Sequence, residues 1–342
     1  MVQTDTWCSS NYHGEDHAIH LFTLCNNDSG CDWVELNGNL TNMRVIVVSG
    51  RGVFTYEFYP RKDSLPSSFY LSLLRGTIDN SEENNLYLFL HLLSGSNLFI
   101  FANKRSISFD YMNNKVKNYP SICSSILLSL RGNDLLAKVL VCGGALSASK
   151  TCRRLKLTDL NLVWSMETMS MPHVMPDMLL LPINDVVFIN GANHSTVGSN
   201  DAKHSNFNQR FTILNSSNIP MMYQSSVLLL PNGNILVGGS NPHEKCNFTL
   251  DPYPTNLSLK AFYPPYWPHS TIFYGPQSLT IIPSGGEISV SFVTPSSTMY
   301  SFAMNQRMVV LNVFNIERAF MTTYQIVVNG PLLRRWHYLG II

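Results

Sequence analysis

With 342 residues the chain has room for one large β domain or two ordinary ones. Hydrophobic residues make up 45% and charged residues 13%, which places it among folded chains and away from disordered ones. A formal net charge of +1 gives no electrostatic footprint for nucleic acid or an anionic membrane, and no apolar run reaches the roughly 18 residues that span a bilayer.

The opening segment, MVQTDTWCSSNYHGEDHAIH, has neither a basic n-region nor an apolar h-region, so no signal peptide is read in it. Seven cysteines pull the other way, toward an oxidising compartment. Cys25 and Cys31 flank NNDSG, and Cys142 and Cys152 bracket a short polar loop. Both spacings suit small disulfides, although spacing fixes no pairing. No CxxC and no His-Cys zinc spacing occurs. Cys123 and Cys246 are expected to be buried thiols. Six Asn-x-Ser/Thr sequons begin at Asn27, Asn39, Asn193, Asn215, Asn247 and Asn256. Roughly five would arise by chance in so Asn- and Ser-rich a chain, so their number alone says little.

Along the chain one pattern recurs. Leu86 to Leu93 leads through Ser94-Gly95-Ser96-Asn97 into Leu98 to Phe101, with a further strand over Ile107 to Tyr111. Ser125 to Leu130 turns at Gly132-Asn133-Asp134 into Val139 to Val141, closing on Gly143-Gly144. Met178 to Leu181 turns at Pro182 to Asp185 into Val186 to Ile189. Val227 to Leu230 turns at Pro231-Asn232-Gly233 into Ile235 to Val237, closing on Gly238-Gly239. The Asn-Gly pair suits a tight turn with positive φ at both positions. The turns recur about every 40 to 50 residues, the period of a four-stranded propeller blade with kelch-type diglycines.

Taking Ser96, Asn184 and Asn232 as equivalent turn positions, Tyr87, Met175 and Tyr223 each lie nine residues earlier. In a propeller that position starts the innermost strand, so these side chains are expected at one axial site. Tyr119 is read as the same position in the looser copy. Ala261 to Tyr266 reads as a linker. Beyond it, short β-prone runs at Gln277 to Ile282, Glu287 to Thr294, Met308 to Phe314 and Thr322 to Val328 suggest a small β-sandwich. His17, His20 and His91 lack paired ligand spacing and are read as structural, and His243 as a solvated loop residue. Asp177 and Arg210 carry no motif. Arg307 is read as a contact between the sandwich and the repeats.

Several segments are specific beyond composition: DTWCSS, ENNLYLFLHLL, GSNLFIFANKRS, MSMPHVMPDMLLLP, MMYQSSVLLLPNGNILVGGSNPH and SFAMNQRMVVL. On these the chain resembles plant glyoxal oxidase-like proteins, which belong with galactose oxidase among the copper-radical oxidases. The resemblance covers nearly the whole length. It implies an all-β fold: a seven-bladed kelch β-propeller over residues 1–262, short of several strands, then an immunoglobulin-like β-sandwich over 263–342. It also implies an extracellular or cell-wall monomer, a small aldehyde or carbohydrate partner, and an axial copper held by two tyrosines and two histidines. One of those tyrosines is joined to a cysteine and stores a radical, so that aldehydes are oxidised at the expense of O₂, releasing hydrogen peroxide.

Carried over residue by residue, the resemblance gives Cys8 the place of the cross-linking cysteine and Tyr223 that of the axial tyrosine and metal ligand. The two histidine positions hold Gln224 and Tyr300, and the segment bearing the radical tyrosine is missing between Met43 and Arg44. Tyr12 and His13 are the nearby substitutes. A carboxamide lacks the basic nitrogen of imidazole and is a poor Cu(II) donor. The expectation is therefore a weak or inactive oxidase, with a non-catalytic carbohydrate-binding propeller as the alternative, supported by axial aromatics at Tyr87, Tyr119 and Tyr223.

Overall fold

A computed structural model describes residues 10–13, 19–22, 32–36, 44–50, 53–59, 68–78, 85, 88–93, 97–102, 105–111, 113, 115–120, 125–131, 137–144, 148–157, 159, 163–174, 176–191, 211, 213–214, 219, 221, 225–230, 232–241, 246–249, 253–265, 290–293, 296–299, 302–304, 306–318, 320 and 324–329. Among these the chain is almost entirely β, with one short helix, α1 (Ser72–Arg75).

Successive stretches form separate antiparallel sheets. After the hairpin β1 (Ser10–His13) and β2 (Ile19–Phe22) comes a sheet of β3 (Asp32–Leu36), β4 (Arg44–Gly50), β5 (Val53–Tyr59) and β6 (Phe69–Tyr70). The next holds β7 (Phe89–Leu92), β8 (Asn97–Ala102), β9 (Arg105–Asp110) and β10 (Lys115–Pro120). β11 (Ser125–Leu127) is followed by β12 (Leu130–Arg131) but pairs with β13 (Lys138–Cys142), and the sheet continues through β14 (Ser149–Lys156) to β15 (Ser165–His173). Then come the pair β16 (Asp177–Leu180) and β17 (Val186–Ile189), and the three-stranded sheet β18 (Ser226–Leu229), β19 (Ile235–Ser240) and β20 (Asn256–Phe262).

The sheets are stacked face to face in chain order, which the central strands make plain. On β8, Leu98, Ile100 and Ala102 enter a core shared with Ile46, Val48 and Tyr56 of the preceding sheet. The alternate residues Phe99 and Phe101 enter a second core with Leu127, Val139 and Val141 of the following sheet. Side chains alternate across a strand, so a strand covered on both faces reads as one unbroken apolar run. β13 repeats the device: Leu140 and Cys142 turn toward a third core, with Met178, Leu180, Val227 and Ile235. The Cys142–Cys152 disulfide joins directly paired residues of β13 and β14, as one of the two expected spacings allowed. Cys25 and Cys31 lie outside the described residues. Beside the disulfide, Gly143 has φ +82°, and an added Cβ would sit 3.0 Å from the His173 carbonyl, so the first glycine of this pair is required by its conformation and a close approach.

The turns differ from expectation in an instructive way. Between β18 and β19, Leu230 N donates to Asn234 O and Gly233 N to Leu230 O, with positive φ at Gly233 and not at Asn232. Asn232 instead accepts from the Asn234 amide through Oδ1. The loop falls where the turn was expected, and the left-handed conformation is taken by Gly233 and not shared with Asn232. Between β16 and β17, Leu181 N donates to Asp185 O, Asn184 N to Leu181 O, and Asn184 takes the positive φ. The counterpart of Asn184 is therefore Gly233.

The late strands β21 (Val290–Val293), β22 (Ser297–Met299), β23 (Phe302–Met304), β24 (Met308–Arg318) and β25 (Tyr324–Asn329) do not stand apart. β12 pairs in parallel with β24, Leu130 opposite Val309, and β24 also pairs with β21 and β25. Val309 lies in the second core, and Val293 and Met308 in the third. Two expectations are corrected here. Leu130 is not the end of β11, and Ala261 and Phe262 extend β20 instead of starting a linker, because each finds backbone partners.

Candidate functional site

The hairpin β22–β23 is the element that gathers the site. β22 packs on β1 and β18, while β23 packs on β7, β11 and β16. A late segment is thus surrounded by the first strands of four sheets and by the N-terminal hairpin. Its exit is fixed by Gln306, which is buried: the Leu180 amide donates to its Oε1 at 2.8 Å, and its Nε2 donates to the Leu180 carbonyl at 2.9 Å. Both backbone groups at the edge of β16 are thereby satisfied by one side chain 126 residues away.

Arg307, next in sequence, is also buried, and its charge reaches His91 on β7. His91 Nε2 shares a 2.8 Å hydrogen bond with Ser125 Oγ at the start of β11. Burial, reinforced by Arg307, pushes the His91 pKa down to about 3, so the ring is neutral at ordinary pH. His91 is thus buried and hydrogen-bonded as a structural residue, and Arg307 of the late segment acts on it through its charge.

At the opposite end of β16 sits a second polar cluster. Asp177 is buried, and its Oδ2 accepts from Asn190 Nδ2 at 2.9 Å and from Ser225 Oγ at 3.4 Å. Asn190 Nδ2 also donates to Ser225 Oγ at 2.9 Å. Asn190 can reach both because it takes a positive φ of 63° at the end of β17. Asp177 Oδ1 is buried with no hydrogen-bond partner among the described residues. Burial pushes its pKa up to about 7 against the opposing effect of the two hydrogen bonds. The cluster ties the starts of β16 and β18 together, one residue after Gln224. Sequence reasoning passed over Asp177 because its partners lie 13 and 48 residues away and form no local motif.

Known proteins bear on what such a scaffold does. Residues 1–266 match the family described as glyoxal oxidase N-terminus. The chain belongs to the glyoxal oxidase family. An aldehyde oxidase from Vitis pseudoreticulata is 31% identical, over 96% of this chain and 77% of that protein. Another, from Arabidopsis thaliana, is 32% identical, over 96% of this chain and 67% of that one. The first alignment runs over 407 positions, more than the 342 residues available, so the relative carries segments that this glyoxal oxidase homologue lacks. Among solved structures, a fungal alcohol oxidase of the AA5 family in complex with copper superposes with a TM-score of 0.66, at 14% identity, over 96% of this chain and 80% of that one. At that identity the likeness is one of fold.

Of the family positions, Cys8, Tyr223, Gln224 and Tyr300 lie outside the described residues, as do Tyr87, Met175 and His243. Tyr12 and His13 lie on β1, paired with His20 and Ile19 of β2. Tyr119 is placed on β10, opposite Ser106 and at the far edge from β7, so it does not begin an innermost strand. That removes one of the three aromatics offered for a carbohydrate platform. Cys246 is exposed, contrary to the expected buried thiol, because it lies in the loop before β20.

At the positions to which the resemblance assigns the copper ligands, the donor chemistry read from the sequence does not fit a Cu(II) centre of the family kind. Tyr223, Gln224 and Tyr300 supply two phenols and a carboxamide, with no imidazole, whereas Cu(II) favours nitrogen and phenolate donors in a tetragonal set. Among the described residues no group of three or more His, Cys, Asp or Glu is placed to hold a metal ion.

Proposed function

We propose that this protein is a glyoxal oxidase homologue that keeps the family scaffold, a kelch-type β-propeller with an immunoglobulin-like C-terminal region, but has lost aldehyde oxidation. In this reading β22–β23 is the hairpin threaded along the propeller axis. The observation that carries the reading is the replacement of both imidazole positions, by Gln224 and Tyr300, together with the absence of the radical-tyrosine segment. Cys8 is then a thiol without its cross-linking partner, and Tyr223 a phenol without the metal that would acidify it. An extracellular setting is supported by the Cys142–Cys152 disulfide, since such bonds persist in oxidising compartments.

The test is to express the chain with Cu(II), measure bound copper by elemental analysis, and follow peroxide release with glyoxal and methylglyoxal. Sub-stoichiometric copper and no peroxide above background are expected. Stoichiometric copper with turnover would overturn the proposal.

A further inference from the structure

The loop between β19 and β20 carries a feature that the oxidase scaffold does not explain. Asn247-Phe248-Thr249 is a sequon with Thr at its third position. It is closed into a turn: both the Thr249 amide (3.1 Å) and the Thr249 hydroxyl (3.0 Å) donate to Asn247 Oδ1. Among the described residues Asn247 Nδ2 makes no hydrogen bond. Phe248 is 58% exposed and Thr249 is exposed as well, so the turn projects from the surface. Its base is anchored, because the Asn247 amide donates to Thr255 Oγ1 at 2.8 Å and the Thr255 amide to the Asn247 carbonyl at 2.7 Å.

We propose that Asn247 is the acceptor of an N-linked glycan. The donor class is an oligosaccharide carried on a polyprenyl pyrophosphate. Nδ2 attacks the anomeric carbon, and a C–N bond forms as the C–O bond to pyrophosphate breaks. The lipid pyrophosphate leaves with the bonding electrons, and one Nδ2 proton passes to a base of the transferase. No oxidation or reduction is involved. The inference rests on the proposed extracellular route.

The second described sequon, at Asn256, is the internal comparison. Its Oδ1 also accepts from the amide and hydroxyl of Ser258. However, Asn256 is the first residue of β20, paired with Ser240, and Ser258 is half-buried in the ladder, whereas Thr249 is exposed in the loop. A glycan grown there would meet the sheet, whereas one grown from Asn247 leaves the fold untouched. It would also stand at the head of β20, the outer strand of its sheet, where Leu257 and Leu259 are 74% and 69% exposed. Cover over an apolar sheet edge blocks strand-to-strand association.

The full chain is translated in vitro with endoplasmic-reticulum microsomes, with and without an added cleavable leader. Protease protection and endoglycosidase-sensitive mass are read separately. With the leader, a glycosylated peptide containing Asn247 is expected. It should disappear in Asn247→Gln and Thr249→Ala and persist in Thr249→Ser. Transfer occurs on the entering chain, so misfolding of a variant does not blur the result. A protected chain with Asn247 unoccupied, or with Asn256 occupied in its place, overturns the assignment. Failure of protection without the leader bears on the extracellular route and leaves the leader experiment decisive for Asn247.

Discussion

Asp177 and His91 are both buried and ionisable, and they shape stability in opposite directions. The Asp177 pKa is raised from 3.8 to about 7, so the folded state holds its proton more tightly than the unfolded chain does. Its contribution is full below the unfolded pKa and is lost as pH rises through about 7. The His91 pKa is lowered from 6.5 to about 3, so its contribution is full above 6.5 and is lost as pH falls through about 3. Asp177→Asn keeps an oxygen acceptor for Asn190 and Ser225 while removing the buried charge. It should melt at a higher temperature than the parent at about pH 8, and the gap should close on acidification to about pH 4, as followed by thermal denaturation across pH. At this scale the sequence showed little: nothing near Asp177 marks it, because its surroundings are assembled from β17 and the start of β18.

At the scale of elements the sequence was far more legible. The strand pairs around Ser96, Asn184 and Asn232 were visible as apolar runs broken by turn residues, and each is a hairpin in the structure. The Asn232-Gly233 pair marked the turn between β18 and β19 correctly, although only Gly233 takes a positive φ. Gln306 offers the sharpest test of an element. Gln306→Ala leaves the buried amide and carbonyl of Leu180 without partners, and each orphaned group costs about 1–3 kcal/mol. Denaturant unfolding should show a loss of that order, and hydrogen exchange should show faster opening at the Leu180 amide than elsewhere on β16.

For the whole molecule, the stacked sheets were foreseeable from their common period, but the attachment of the late strands was not. Leu130-Arg131 is two residues long, and its parallel pairing with Val309-Val310 leaves no periodic trace in either segment. The proposed copper position is likewise a property of the whole fold, since Gln224 precedes β18 and Tyr300 follows β22. Returning imidazole to both, as Gln224→His with Tyr300→His, should raise Cu(II) affinity in an equilibrium titration by at least tenfold. The variant should still show no radical absorption band and no peroxide release, because the cross-linked tyrosine is not restored.

The embrace of β22–β23 by β7, β11, β16 and β18 also sets an order of events in folding. The contacts of Leu180 with Gln306 and of Leu130 with Val309 close chain loops of well over a hundred residues. Closing them is entropically unfavourable until the intervening sheets are in place, and contacts so distant in sequence slow folding. During synthesis the early sheets therefore emerge before the late strands that join them, and the last quarter of the chain acts as a bolt slid home. A ribosome stalled before β22 would hold early sheets that are formed but not locked.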